Sequence, residues 1–378
     1  MKRRDFLSLL ASAPAIAHAD DGRRPASARR LVLIELKGGN DGLNTVVPYR
    51  DAAYRQYRPA LALSPEQCLP LDETRALHPA LAPLLPLWRD TQLAIVEGLG
   101  YANPNRSHFR SIDIWHSATD SDVVSRTGWL ANSALQPGDG IDAVVFGNRP
   151  APVAGGSARF VSFDTLDAYV NTRSTLTAPD GADSNPMLSA LNDTHSASNA
   201  YRALLIGRGV PPSPRGFPAT RFGTWMADTT RLLLSHTAPP LVKLHLQGFD
   251  THADQLDRHA GLLAELAQGI AAMRHALVHA GLWDSVLIMT YSEFGRRVIE
   301  NASQGSDHGT AAPQLLVGGR VKGGFHGQTP SLAQLQADDL VHTTDFRSLY
   351  RTVLQSWWQL PVQPSVRSRF ALLDCLRA

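Results

Sequence analysis

The chain contains little cysteine, little net charge and no long apolar run. Two cysteines, Cys68 and Cys375, are too few for a disulfide framework, which excludes a small disulfide-stapled domain. The formal charge of +2 lacks the basic excess of a dedicated nucleic-acid binder, so no nucleic-acid partner is expected. No stretch reaches the roughly 18 uninterrupted apolar residues that a membrane helix requires, so no stable membrane span is predicted.

Three catalytic signatures are also missing. The Gly-x-Ser-x-Gly turn of α/β-hydrolases is absent, which disfavours a serine esterase of that type. The loop after the first apolar run lacks the Gly-Lys-Ser/Thr ending of a phosphate-binding Walker loop. The stretch that begins at Cys68 has Asp72 where the Cys-x-Pro-x-Arg nucleophile motif of sulfatases requires arginine, which rules that motif out.

The composition is that of a folded, soluble protein. Of the 378 residues, 43% are hydrophobic and 19% are charged, which excludes a disordered or collagen-like chain. This length allows one large α/β domain or two smaller ones, each with a proper core.

The amino terminus has the layout of an export signal. Lys2, Arg3 and Arg4 precede a short apolar run that ends at Ala17-His18-Ala19, the pattern of a basic region, an apolar region and a cleavage site. The paired arginines resemble the twin-arginine export signal, which implies the twin-arginine machinery as a partner and a periplasmic or secreted location. We therefore predict a signal peptide over residues 1–19, and without it the charge falls from +2 to zero.

Short apolar runs alternate with helical patterns along the rest of the chain. This alternation predicts an α/β fold with a mostly parallel sheet and helices on both faces. Strands are predicted at residues 31–36, 93–96, 143–146, 159–163, 241–246, 285–290 and 314–317, and the main helices at 106–117, 254–280 and 345–358.

The amino-acid composition changes between about residues 150 and 240. Proline, serine, asparagine and glycine are frequent in the first part of this segment, and apolar runs are brief. We interpret this segment as a loop-rich cap that carries some helix, at residues 200–207, and that is inserted into one domain spanning residues 20–378.

Polar side chains follow several predicted strands at the point where each strand ends. In parallel sheets, ligands bind beyond the carboxyl ends of the strands, so these side chains are expected to share one edge. The candidates are Asp41, Arg106, Ser107, His108, Arg110, Asp250, His252, Glu293, Asp307 and His308.

The candidates divide into two chemical groups. Ser107 is predicted at a helix amino terminus, where the free N–H groups favour binding of an anion. Arg106 and Arg110 can bind an anionic ester through paired hydrogen bonds. Asp41, Asp250, His252, Glu293, Asp307 and His308 are hard-oxygen and imidazole ligands suited to zinc, manganese or a similar divalent ion. Simpler explanations remain open: an Asn-Asp-Gly turn at Asp41, a helix-capping Ser107, and an ion pair between Glu293 and Arg296.

The order of these residues resembles that of the alkaline phosphatase superfamily, which includes phosphatases, sulfatases and phosphomutases. The local sequences resemble one branch more closely, the twin-arginine-exported bacterial family called domain of unknown function 1501. The strings that carry this resemblance are LKGGNDGLN at 36–44, RSHF at 106–109, GFDTH at 248–252, SEFGR at 292–296, DHG at 307–309 and TDFR at 344–347.

The resemblance implies an alkaline phosphatase-like fold with a site for one or two divalent ions (zinc, manganese or calcium). Asp250, His252 and His308 would hold one ion, and Asp41, Ser107 and Glu293 would contribute to the other. Phe294 stands where the second site would have an imidazole. Either His108 replaces that imidazole or one ion binds.

Two functions follow from these residues. The first is a metal-dependent hydrolase of phosphate or sulfate esters, acting on a small molecule or a glycan, with Ser107 as nucleophile, Arg106 or Arg110 as anion clamp, and Asp307 orienting His308. The second is a non-catalytic periplasmic binding or assembly protein with the same fold.

Overall fold

The computed structural model describes residues 29–133, 140–148, 150–172, 186–361, 366 and 369–377, with the backbone alone described at 186–193. The signal peptide predicted for residues 1–19 lies outside these residues. Within them, no helix combines the length and the apolar character needed to cross a membrane.

The strands form one large sheet and two small ones. They are β1 (Arg30–Lys37), β2 (Val46–Val47), β3 (Leu69–Pro70), β4 (Ala76–Leu77), β5 (Leu93–Gly100), β6 (Ala143–Phe146), β7 (Phe160–Phe163), β8 (Leu241–Gln247), β9 (Val286–Tyr291), β10 (Ala312–Val317), β11 (Gly324–His326), β12 (Leu335–Gln336), β13 (Asp339–Leu340) and β14 (Thr344–Asp345).

The α-helices are α1 (Gly42–Thr45), α2 (Ala52–Tyr57), α3 (Leu85–Arg89), α4 (His108–Ser117), α5 (Leu166–Asn171), α6 (Pro186–Arg208), α7 (Arg221–Leu234), α8 (Gln255–His279) and α9 (Phe346–Thr352). Shorter 3₁₀ turns lie at Pro79–Leu84, Ala151–Val153 and Trp283–Ser285, and α9 continues into a π-helical turn over Val353–Trp357.

The large sheet has the order β11-β5-β10-β9-β1-β8-β6-β7, and β14 also pairs with β5. β1 is parallel to both β8 and β9, and β6 is parallel to β7 and β8. β10 runs antiparallel to its neighbours β5 and β9. The carboxyl ends of β1, β5, β8 and β9 therefore share one edge with the amino end of β10.

Helices cover both faces of the sheet, as predicted. Alternate residues of β1 point to opposite sides: Val32 and Ile34 join a core with α7 and α8, whereas Leu31 and Leu33 join a core with α4 and α9. A parallel strand buried on both faces has a continuous apolar sequence, which is the pattern that β1 shows. The predicted α/β fold with a mostly parallel sheet is confirmed.

The segment at 150–240 contributes β7 to the large sheet and contains α5, α6 and α7. Its described part is more helical than a loop-rich cap. α7 buries Phe222, Trp225 and Met226 against the main core, so the segment is integrated into the domain at that helix. The boundaries of the insertion and the single-domain division remain predictions.

A buried ion pair lies inside the sheet. Lys243 Nζ donates to Glu35 Oε2 at 2.7 Å, and both side chains are almost fully buried (1% and 0% exposed). Tyr291 donates to the same oxygen at 3.1 Å. Burial alone would raise the pKa of Glu35, but the charge of Lys243 and a contact with His116 hold that pKa well below its ordinary value.

Replacing Lys243 tests this pair. Lys243→Met leaves the buried Glu35 carboxylate without its ammonium partner, so the free energy of unfolding should fall by about 3–5 kcal/mol. The double variant Glu35→Leu/Lys243→Met should recover most of that loss, because no charge then remains buried. Lys322→Met is the matched control at an exposed pair with Asp374 and should cost less than about 1 kcal/mol. Urea denaturation measures all three, and a loss below about 1 kcal/mol for Lys243→Met would contradict the role assigned to the pair.

Candidate metal and anion site

Turns from several strand ends pack closely at the shared edge of the sheet. Gly38, after β1, has a φ of +122°, and a Cβ placed there would lie 2.4 Å from the backbone nitrogen of Asp250. A Cβ at Gly39 would meet the ring of Phe294 at 2.5 Å. Side chains at these two positions would therefore force the turns apart, which explains the paired glycines.

Three imidazoles converge on one carboxylate oxygen. Asp250 Oδ1 lies 3.0 Å from His252 Nε2, 3.2 Å from His308 Nε2 and 3.3 Å from His108 Nε2. The Nε2 atoms of His252 and His308 are 2.9 Å apart. His108, Asp250 and His308 have ligand atoms close enough together to hold one metal ion, and His252 adjoins them. We call these four residues the His–Asp cluster.

The other ring nitrogen of each histidine has an acceptor. Nδ1 of His108 donates to Glu293 Oε1 at 2.8 Å, and Nδ1 of His252 donates to Asp307 Oδ1 at 2.9 Å. Nδ1 of His308 donates to the backbone carbonyl of Arg106 at 2.8 Å. Because a carboxylate or carbonyl oxygen only accepts, each neutral imidazole carries its proton on Nδ1 and presents a bare lone pair at Nε2.

These residues fit a metal ion. The lone pairs of His108 and His308 and the Asp250 carboxylate lie close enough to repel one another unless a cation lies between them, and the buried Nε2 of His108 has no well-formed hydrogen bond. Histidines whose second nitrogen is bound by a carboxylate or carbonyl are typical of metal sites. Two histidines and one aspartate, with a third histidine adjoining, suit zinc among the divalent ions.

Neighbouring groups and burial shift the pKa values of the residues in the cluster. Arg296 Nη2 donates to Asp250 Oδ1 at 2.7 Å. Partial burial alone would raise the pKa of Asp250, but Arg296 holds it well below its ordinary value. The hydrogen bond to Glu293 raises the pKa of His108, whereas burial lowers that of His308. The cluster remains accessible, because the side chains of Asp250 and His252 are 47% and 44% exposed.

Phe294 forms an apolar wall beside the cluster. Its ring centroid lies 4.9 Å from that of His108 and 4.8 Å from that of His308. The sequence pattern leaves open whether His108 replaces an imidazole at this position or one ion binds. The structure places His108 within the His–Asp cluster and Phe294 against it, not within it.

Two predicted ligands lie behind the cluster. Glu293 is buried and holds His108 in place, while its Oε1 also accepts the backbone N–H of Gly38 at 2.9 Å. Asp307 binds His252, so the expectation that it orients His308 is wrong. His308 is held instead by the Arg106 carbonyl, which a side-chain pattern does not reveal.

Asp41 is not brought into the cluster. Its carboxylate is fully buried, accepts the N–H of Leu43 at 3.1 Å, and pairs with Arg58 Nη1 at 2.6 Å. Burial alone would raise the pKa of Asp41, but Arg58 lowers it below its ordinary value. The side-chain amide of Gln255 also donates to this carboxylate.

The two candidate anion-clamping arginines have partners of their own. Arg106 pairs with the buried carboxylate of Asp339, and burial raises the pKa of that carboxyl. Arg110 Nη2 donates to the carbonyls of Ser121 and Val123 at 2.9 and 2.8 Å. Neither guanidinium hydrogen-bonds to the His–Asp cluster within the described residues.

Ser107 lies at the amino terminus of α4, as expected, with its side chain exposed. Its hydroxyl makes no capping hydrogen bond, while its backbone N–H donates to Asn105 Oδ1 at 2.8 Å. The residues on either side of it are fixed, because the Arg106 carbonyl binds His308 and the His108 ring joins the cluster. The backbone that carries Ser107 is thus constrained on both sides by residues that contact the cluster.

Sequence reasoning misses several contributors to this site. The sequence suggests an ion pair between Arg296 and Glu293, but Arg296 binds Asp250 and the carbonyls of Gly38 and Gly39 instead. Arg58 and Gln255, which contact Asp41, lie 17 and 214 residues from it, so no short motif reveals these contacts.

The model of a family described as "Protein of unknown function (DUF1501)" matches residues 170–356. The resemblance to this family seen in the sequence is confirmed over these residues. A comparison with curated proteins returned no match.

Solved structures of several hydrolases and related proteins are similar to the chain at low identity. A 2-O GAG sulfatase is 9% identical and has a TM-score of 0.37, with 89% of this chain and 72% of that one covered. The C-terminal periplasmic domain of EcEptC from Escherichia coli, in complex with Zn, is 11% identical, with a TM-score of 0.36 and coverage of 79% and 74%. A phosphonate monoester hydrolase from Silicibacter pomeroyi is 11% identical, with a TM-score of 0.38 and coverage of 90% and 76%. TM-scores of this size establish no function.

The support that Glu293 gives to His108 can be tested by metal affinity. Glu293→Gln removes the charge that makes the imidazole a better ligand, so zinc affinity should fall by about 10–100-fold. The exposed residue Glu73 provides a matched control, and Glu73→Gln should leave affinity unchanged. Competition with a chromophoric chelator measures both, and equal affinities would remove Glu293 from this role.

Proposed function

We propose that this chain is an exported, metal-dependent hydrolase of phosphate or sulfate esters. The observation that carries the proposal is the convergence of three Nδ1-anchored histidines on Asp250, one of them His108, which directly follows Ser107 at the start of α4. Export is inferred from the twin-arginine-like pattern at residues 1–19.

His108, His252, His308 and Asp250 would hold the divalent ion. When bound, such an ion polarises an ester oxygen and stabilises the negative charge that develops there. Glu293, Asp307 and the Arg106 carbonyl keep the three imidazoles in the tautomer that ligation requires.

Ser107 is the proposed nucleophile. Its Oγ would form a bond to the phosphorus or sulfur of the ester as the bond to the leaving oxygen breaks, and water would later release phosphate or sulfate. The first N–H groups of α4 lack intrahelical partners and suit an anionic group bound beside Ser107. Because Ser107 does not cap these groups with its side chain, its hydroxyl remains free for the reaction.

One observation favours a non-catalytic binding or assembly protein instead. Arg106 and Arg110 already have partners, so neither is a free cation ready to clamp an ester. In that case the protein would bind metal and a partner or glycan, but metal-loaded protein would turn over none of the esters tested.

Replacing Ser107 separates these functions. In zinc- or manganese-loaded protein, Ser107→Ala should lower turnover by more than about a thousandfold, because it removes the hydroxyl proposed to form the covalent intermediate. The assay uses a panel of aryl phosphate monoesters, phosphate diesters and sulfate esters. Ser157→Ala, at an exposed serine in another segment, is the control and should keep full activity.

Unchanged turnover in Ser107→Ala would remove Ser107 from the nucleophile role. If the wild-type protein holds metal but is inactive on the whole panel, the non-catalytic alternative gains support.

A further inference from the structure

Asp41 lies in a network that leaves its carboxylate fully engaged. Oδ1 accepts the Leu43 N–H, and Oδ2 accepts from both Arg58 and Gln255. The orientation of Gln255 is fixed, because its Oε1 already accepts the hydroxyl groups of Thr251 and Ser306. Its amide nitrogen must therefore face Asp41.

Arg58 is built into the protein as a fixed cation. Its side chain is 0% exposed, and Nε donates to the Val298 carbonyl at 2.9 Å. Nη1 donates to Asp41 and to Asn44 Oδ1, the latter at 2.9 Å, and Nη2 donates to the Arg297 carbonyl at 2.7 Å. With oxygen partners at all three nitrogens, the guanidinium cannot move aside without leaving buried donors unpaired.

Arg296 places a second fixed cation between this network and the His–Asp cluster. It donates to the carbonyls of Gly38 and Gly39, which lead to Asp41, and also to Asp250. A metal ion near Asp41 would therefore meet two guanidinium groups in a poorly solvated region, where like charges repel strongly.

The balance of charges also disfavours a second metal ion. The side chains bonded within the cluster and the Asp41 network comprise four carboxylates (Asp41, Asp250, Glu293 and Asp307) and two guanidiniums. With neutral imidazoles, two negative charges remain, which one divalent ion neutralises. A second divalent ion at Asp41 would leave two uncompensated positive charges, and the Asp41 and Arg58 side chains there are fully buried.

We propose that the chain binds one divalent ion per molecule, and that Arg58 supplies at Asp41 the positive charge that a second ion would otherwise supply. Asp41, Ser107 and Glu293 do not form a second site, because Arg58 pairs with the first, the second is exposed, and the third is bonded to His108. The inference rests on the metal site of the proposed function and changes its chemistry, since Ser107 would act beside one ion.

The number of bound ions is the decisive measurement. Metal-free full-length protein is titrated with zinc, separated from free zinc by gel filtration, and analysed for zinc and protein. We expect one zinc per wild-type chain. Asp41→Asn should also hold one, with less than about a tenfold change in affinity, because the replaced carboxylate is not a ligand. His308→Ala is the contrasting variant and should lose more than about a hundredfold, because it removes a ligand.

Two zinc ions per wild-type chain, one of them lost in Asp41→Asn, would overturn the inference and leave the metal-dependent hydrolase intact. Loss of the single zinc in Asp41→Asn would also overturn it. No zinc in the wild type would contradict the metal site itself, which is a separate failure. The wild-type count requires no variant, so the test stands even if Asp41→Asn fails to fold. Arg58→Lys, which keeps the charge, should also bind one ion.

Discussion

The buried guanidinium of Arg296 is the interaction on which the candidate site depends. It is fully buried and donates to carbonyls of the turn after β1, to Phe249 and Asp250 after β8, and to Ser306 before β10. Each of these turns would otherwise carry unpaired backbone oxygens into the interior, at a cost for every unsatisfied group. One side chain therefore satisfies three turns at once and fixes the distances between the residues they carry.

The sheet and its site edge can be predicted from the sequence. Strands such as β1, buried on both faces, appear as unbroken apolar runs, and residues that follow such runs converge by topology. The same reasoning predicts that the site candidates share one edge, and the family resemblance singles out Asp250, His252 and His308 as ligands of one ion. His308 precedes a strand instead of following one, and it reaches the same edge because β10 runs antiparallel.

The roles within the site cannot be predicted in the same way. Asp41 and Asp250 both follow apolar strands, yet one pairs with Arg58 and the other receives three imidazoles. Each of them also accepts from a guanidinium, Arg58 for Asp41 and Arg296 for Asp250, so what separates them is which side chains fold against the remaining oxygens, and local spacing does not encode this. Likewise, His308 is anchored by the backbone carbonyl of Arg106, an acceptor that every residue possesses.

The antiparallel direction of β10 also has a consequence for folding. The chain leaves β9 through Glu293 and Arg296 and returns through Asp307 and His308 into β10, with Arg296 and His308 forming a β-bridge. This part of the site is close in sequence, so the entropy lost in closing it is small. His108 and Asp250 come from distant segments, and their contacts raise the mean sequence separation that slows folding. The cluster would then be completed late, as remote segments dock onto a hairpin-like half that is already formed.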